Sequence, residues 1–331
     1  MNKVGKIILF IFLGIVGLLA IAFTYFMIEF PKVGDAPELK VDITEARLER
    51  GKYLFHNVSL CVDCHSPRDW SKFSAPPDES KIGIGNNEDF LESTIGLPGD
   101  FYAANLTPHH LKDWSDGELF RAITSGVSKD GRPLFPIMPY MNYGQMSKED
   151  IYSIIAYIRT LPELKSETPE PKPKFPMQFI MKLMPKEATF SDIPPKTDNV
   201  AYGKYMITAA ACSDCHTPLT KGQPVLDSAF SGGREFPIPT GGTVASANIS
   251  PDKNTGIGTW TKEQFISRFK SYADSGFVFK DIDKNEFNTI MPWKKYAGMN
   301  DEDLGAIYDY LMSIKPINKR VTRFVPSVAT K

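Results

Sequence analysis

Two short words in the sequence carry chemistry: Cys61-Val62-Asp63-Cys64-His65 and Cys212-Ser213-Asp214-Cys215-His216. Together they hold all four cysteines of the 331 residues and two of the five histidines. At the start of a helix, Cys-x-x-Cys-His sets both thiols and the imidazole near one face. A porphyrin can there take two thioether bonds and an iron ligand from a single turn, which is the attachment pattern of c-type haem. A lone Cys-x-x-Cys also reads as half of a zinc site or as a redox dithiol. Zinc calls for a further cysteine or histidine pair at each site, and a redox dithiol leaves the repeated histidine unexplained. Two covalently bound haem c groups are the expectation, and no cysteine is left over for a structural disulfide.

The elements that must position these words also come twice. Gly51-Lys52-Tyr53-Leu54 precedes the first and Gly203-Lys204-Tyr205-Met206 the second. Ala104-Asn105-Leu106-Thr107-Pro108 and Ala247-Asn248-Ile249-Ser250-Pro251 follow, and then Trp114 and Trp260, each opening an amphipathic stretch. Met138-Pro139, Tyr143 and Met146 are matched by Met291-Pro292, Tyr296 and Met299. Closing helices are expected over Ile151, Ile154, Ile155 and Ile158 and over Leu304, Ile307, Tyr308 and Leu311, both with i, i+3, i+4, i+7 spacing. Ser147 and Asn300 are their expected N-caps, with acids after them suited to the helix dipole. An internal duplication is the simplest account, giving domains at 44–162 and 200–317. The 163–199 stretch between them opens rich in proline and charge, the composition of a stiff extended linker. Its apolar part, Phe175 to Met184, is expected to pack onto one of the domains, with contact to the membrane or a partner subunit as the alternative.

Both units resemble class I c-type cytochrome domains. The words around Met138-Pro139-Tyr140, Tyr143 and Met146-Ser147 look most like those of the cytochrome subunits of membrane-bound alcohol and gluconate dehydrogenases. The resemblance covers about Thr44 to Leu161 and Val200 to Ile317; those subunits usually carry three attachment motifs, where this chain has two. It implies His65 and His216 as proximal iron ligands and, by motif match, Met138 and Met291 as the distal ones. The residues support the same methionines, because a thioether is a soft iron ligand and a Met/His pair raises the reduction potential. Met138 and Met291 also recur 77 and 79 positions after Cys61 and Cys212. Met146 and Met299 are the substitutes. His56, His109 and His110, all in the first unit, are expected at surface or loop positions, with replacement of Met138 as the alternative. Tyr143 and Tyr296 are expected near the haem edge with their hydroxyls on backbone or propionate, with core packing alone as the alternative, and Asn105 and Asn248 in the loop that approaches the ring. Each proximal imidazole needs an acceptor for its other nitrogen, most simply a loop carbonyl.

From Ile7 to Ile28 run 22 residues without a charge, about 33 Å as a helix and enough to cross a hydrocarbon core. Residues 1–30 therefore read as a membrane anchor, followed by a 31–43 linker. Lys3 and Lys6 place the N-terminus inside and the rest on the periplasmic side of the cytoplasmic membrane. A signal peptide cut after Ala20-Ile21-Ala22 is the alternative, and the continuing run Phe23 to Ile28 favours the uncut anchor. A tail is expected over 318–331. With 38 basic against 39 acidic residues and a formal charge of −1, the chain lacks the basic balance of a nucleic-acid binder.

The expected fold is thus mostly α: two tandem class I cytochrome c domains behind one N-terminal transmembrane helix. With both irons closed by strong ligands, the expected activity is one-electron transfer without catalysis. Electrons would come from a dehydrogenase or quinol-oxidising complex and go to another cytochrome or a terminal oxidase. The rivals are a dihaem peroxidase-like enzyme, which needs one openable iron position, and a fixed haem subunit of a larger respiratory complex.

Overall fold

The computed structural model describes residues 2–274 and 276–327, so the last four positions of the expected tail lie outside the described residues. Helix α1 (Lys3–Glu29) starts where the Asn2 side chain accepts the Gly5 N–H at 2.9 Å, and it buries none of its residues. Among the described residues it is the one helix long and apolar enough to cross a membrane.

An extended stretch leads to α2 (Glu45–Tyr53), capped by Thr44. The chain then widens into a π turn over Leu54–Val58, where the Ser59 N–H reaches the Leu54 carbonyl at 2.8 Å. Leu60, in the left-handed region at φ 52°, swings the backbone into α3 (Cys61–Cys64). Then come α4 (Glu92–Ile95), β1 (Gly99–Asp100), α5 (Pro108–Leu111), α6 (Asp116–Ser125), α7 (Tyr140–Tyr143) and α8 (Lys148–Ile158). The Ser115/Glu118 capping box starts α6, and Ser147 caps α8 by accepting the Asp150 N–H at 3.1 Å. Helices α2 and α8 cross so closely that a Cβ at Gly51 would stand 1.9 Å from the Ser153 carbonyl oxygen. That contact gives the glycine of Gly-Lys-Tyr its purpose.

The proline-rich stretch is extended, and it is stitched to the region before it. Its β2 (Lys172–Pro173) pairs antiparallel with β1, with Gly99 opposite Pro173. The apolar part forms α9 (Met177–Ile180) and one further turn, which buries Met181 and leaves Phe175 exposed. The Phe179 ring meets Phe23 of α1 edge-on at 5.8 Å, and the Lys182 ammonium donates to the carbonyls of Met27 and Phe30 at 3.1 and 2.9 Å.

The second region begins with α10 (Asn199–Ala209). Left-handed Ala211, at φ 50°, turns the chain into α11 (Cys212–His216). A hairpin of β3 (Leu219–Thr220) and β4 (Gln223–Pro224) follows, then the pair β5 (Glu235–Pro237) and β6 (Thr243–Ala245). Helices α12 (Lys262–Lys270), α13 (Trp293–Tyr296) and α14 (Asp301–Ser313) come next, and β7 (Phe324–Val325) closes onto β6 with Phe324 opposite Val244. Asn300 caps α14 as expected, and α10 crosses α14 with Gly203 placed so that a Cβ would lie 1.9 Å from the Ala306 carbonyl oxygen.

Buried apolar residues of the two regions join in one connected core, with Leu54, Phe55, Ile151 and Ile155 on one side and Tyr202, Met206, Leu304 and Ile307 on the other. Its seam is reciprocal. The Tyr53 hydroxyl donates to Asp303 at 2.6 Å, and the Tyr205 hydroxyl donates to Asp150 at 2.7 Å. Arg50 adds a two-pronged contact to Asp150 at 2.8 and 2.7 Å, and Tyr202 donates to the other oxygen of Asp303 at 2.8 Å.

Candidate haem sites

Each Cys-x-x-Cys-His word occupies a single helical turn behind a left-handed residue. An L residue in that conformation is uncommon, so the paired Leu60 and Ala211 mark a turn enforced by its surroundings. Burial pushes the thiols of Cys61, Cys64 and Cys212 up to about 12 and that of Cys215 to about 11. All four are therefore neutral thiols in the protein chain, the opposite of the depressed thiolates of a redox dithiol. Zinc-type clustering is also lacking: among the described residues no group of three or more Cys, His, Asp or Glu side chains is arranged to hold a metal.

The histidines of the two words are oriented alike. His65 Nδ1 lies 2.7 Å from the Ala104 carbonyl, and His216 Nδ1 lies 2.8 Å from that of Ala247. A carbonyl only accepts, so Nδ1 carries the proton and Nε2 keeps its lone pair for a metal. Burial lowers the basicity of both rings, His216 to about 4, which holds them neutral. The next residue fixes each accepting carbonyl. Asn105 donates to the Leu164 and Ser166 carbonyls at 2.8 and 3.2 Å, and its own carbonyl accepts the Thr107 N–H at 2.8 Å. Asn248 donates to Ile317 at 2.8 Å and accepts from Ser250 at 2.9 Å. These asparagines orient the histidine through the loop backbone.

A cavity of about 790 Å³ opens beside α11. Cys212, Cys215, His216 and Met291 all line it, so the structure brings the second expected set together. Met299 lines it too, from a fully buried place just ahead of α14. The remaining wall is mostly apolar, including Trp260, Phe265 and Leu311, while Arg320 and Arg323 add positive charge at the C-terminal side. A flat apolar macrocycle with a central metal and two carboxylates fits this donor set: thiols and imidazole from one turn, a thioether from another wall and guanidinium groups for the carboxylates. In the first region Met138 packs against the core immediately before α7, and Met146 is fully buried. Tyr143 donates to the Ser59 carbonyl at 2.6 Å, and Tyr296 donates to that of Ala210 at 2.8 Å. Both expected tyrosine hydroxyls thus end on backbone, tying α7 and α13 to the turns that lead into α3 and α11.

The other three histidines have partners of their own. His56 Nε2 lies 2.8 Å from the Tyr157 hydroxyl, His109 is 3.1 Å from Glu167, and the His110 ring faces Trp114 at 6.0 Å.

Residues 200–315, which hold the second word and its cavity, match the cytochrome c family. The chain carries a cytochrome c domain. Three relatives extend this cytochrome likeness over most of the chain. The cytochrome c subunit of the quinone alcohol dehydrogenase of Gluconobacter oxydans (strain 621H) is 25% identical over 293 residues, 83% of this chain and 56% of that protein. The fructose dehydrogenase cytochrome subunit of Gluconobacter japonicus is 28% identical over 288 residues, 81% of this chain and 52% of that protein. A diheme cytochrome c-type protein of Cereibacter sphaeroides is 26% identical over 298 residues, 85% of this chain and 90% of that protein. The chain spans 58% of the length of the quinone alcohol dehydrogenase subunit of Komagataeibacter europaeus that it also matches. The match to the cytochrome c family agrees with the haem-attachment reading of the second word.

Sequence reasoning missed the seam. Tyr53 and Tyr205 were visible in the Gly-Lys-Tyr words, but nothing local signalled that each would reach an aspartate of the other region.

Proposed function

We propose that this chain is a dihaem electron carrier, a haem subunit of a membrane-bound dehydrogenase. Its domains are two tandem cytochrome c units at 44–162 and 200–317, joined through 163–199 and preceded by a membrane anchor at 1–30 and a 31–43 linker, with a tail at 318–331. Cys61 and Cys64 would hold one haem c, with His65 and Met138 supplying its iron ligands; Cys212 and Cys215 would hold the other, with His216 and Met291. The observation that carries the reading is the matched posture of the two histidines, each with Nδ1 on a loop carbonyl beside a half-buried pair of thiols. When bound, such a group supplies one-electron exchange at an iron closed on both sides. The chain attaches it, orients the proximal imidazoles and buries it from water. The relatives' names support a dehydrogenase as the electron donor. Another cytochrome or a terminal oxidase is the acceptor, and both haem domains lie outside the cytoplasmic membrane.

The test is the absorption spectrum of the fully oxidised protein with haem quantified. The weak far-red methionine-to-ferric-iron band should have an intensity corresponding to two haems per chain. An intensity of one haem, or carbon monoxide binding readily to one ferrous haem, would overturn Met/His ligation at both sites. Purification in mild detergent should bring down a dehydrogenase subunit; a monodisperse lone chain would sink the subunit assignment.

A further inference from the structure

The loop that follows the first attachment word does not stay in its own region. From Trp70 to Ala75 it runs into the second, where the Phe73 N–H donates to the Lys280 carbonyl at 2.8 Å and the Ile282 N–H donates to that of Ser71 at 2.8 Å. The Phe73 ring stacks on Tyr272 and lines the cavity that holds Cys212, His216 and Met291. Ser74, almost fully buried, is where the loop meets the methionine. Its hydroxyl donates to the Met291 carbonyl at 2.5 Å and accepts the Trp293 N–H at 3.3 Å, bridging both sides of Pro292. Ser74 is itself held. Asn288, with no exposed surface, accepts the Ser74 N–H at 2.8 Å and donates to the Lys72 and Trp70 carbonyls at 3.2 and 3.4 Å. The neighbouring Thr289 hydroxyl accepts the Met291 N–H at 3.1 Å.

We propose that Ser74 is a positioning residue for Met291, so that the first region sets the sixth coordination position of the second haem. This rests on Met291 being an axial ligand. A thioether is a neutral, soft ligand whose occupancy of an iron depends on where its backbone stands. Clamping the main chain on both sides of Pro292 fixes that position from outside the domain. The arrangement is one-sided. In the second region the stretch after the attachment word is the β3–β4 hairpin, whose residues are exposed, so among the described residues the two methionines are not held by matching loops.

The test uses the full-length protein with both haems. Ser74 has φ +67°, which glycine adopts without strain, so Ser74→Gly removes the hydroxyl and leaves the loop conformation accessible. The expected result is unchanged haem content, a partial loss of the far-red band confined to one haem, and imidazole binding at that haem tightened on the order of tenfold, the scale of one lost hydrogen bond. Ser74→Ala, which keeps a side-chain carbon, should give the same readout. Met291→Leu supplies the reference of complete loss at one haem, and combining it with Ser74→Gly should add nothing. If Met291→Leu leaves the band at two-haem intensity, the axial assignment fails. If Met291→Leu removes one haem's share while both Ser74 variants keep the parent band and imidazole affinity, the axial assignment stands and the role of Ser74 is overturned.

Discussion

His65 and His216 show how little of a histidine's behaviour is fixed by its own residue type. Each ring owes its tautomer to one carbonyl, and each carbonyl owes its place to the asparagine after it. Replacing Asn248 by Ala removes several hydrogen bonds at once. It should lower stability by about 1–3 kcal/mol through the buried groups left unpaired, read as an earlier midpoint in denaturant with the slope unchanged. On the proposed ligation of two haems, Met138→Leu should leave both covalently attached, lower one reduction potential and admit an exogenous ligand at one iron. A redox titration that overlays that of the parent would remove Met138 from the ligand set. His56 makes a different prediction. Burial depresses it from 6.5 to about 4, so between those values the unfolded chain binds more protons than the folded one. The stability it contributes is complete above pH 6.5 and is lost as the pH falls toward 4. In His56→Gln the fall in melting temperature from pH 7 to pH 5 should be smaller than in the parent protein.

At the scale of elements, two helix crossings carry the architecture, α2 on α8 and α10 on α14. Each depends on a glycine facing a backbone carbonyl at a distance no Cβ tolerates. Gly203→Ala should cost at least about 3 kcal/mol, the upper end of overpacking effects, because the obstructing atom is backbone and cannot rotate away. Thermal unfolding of that variant, set beside Ala306→Gly, measures the effect. The closing helices were legible in advance because their apolar spacing and caps are local, and so were the attachment turns, since Cys-x-x-Cys-His is one turn long. The contacts between Ser74 and Met291 and between Tyr53 and Asp303 span 217 and 250 positions. No periodicity reaches that far. In the sequence Asp150 and Asp303 are acids suited to a helix dipole, which is true of any first turn. Only the folded chain shows them almost without exposed surface and accepting tyrosines from across the seam.

At the scale of the whole molecule, the reciprocal pairing of Tyr53 with Asp303 and of Tyr205 with Asp150 makes the two regions depend on each other. Each hydroxyl serves a buried carboxylate, for which a lost hydrogen bond costs roughly 1.5–3 kcal/mol. Tyr53→Phe and Tyr205→Phe should each lower the stability of the whole chain by that amount. Changes confined to one part, seen by hydrogen exchange at α2 and α8 but not at α10 and α14, would show that the seam is not a shared load. The clasp of Lys182 on the carbonyls of Met27 and Phe30 belongs to this scale too. For a chain anchored as proposed, it removes the slack between bilayer and haem. A domain on a loose leash sweeps a wide volume and meets partners at many heights. So anchored, this one would be tied to its post at Lys182, which narrows the heights above the lipid at which its redox face is offered, and a partner would bring its own electron port to that level by sliding in the plane of the membrane.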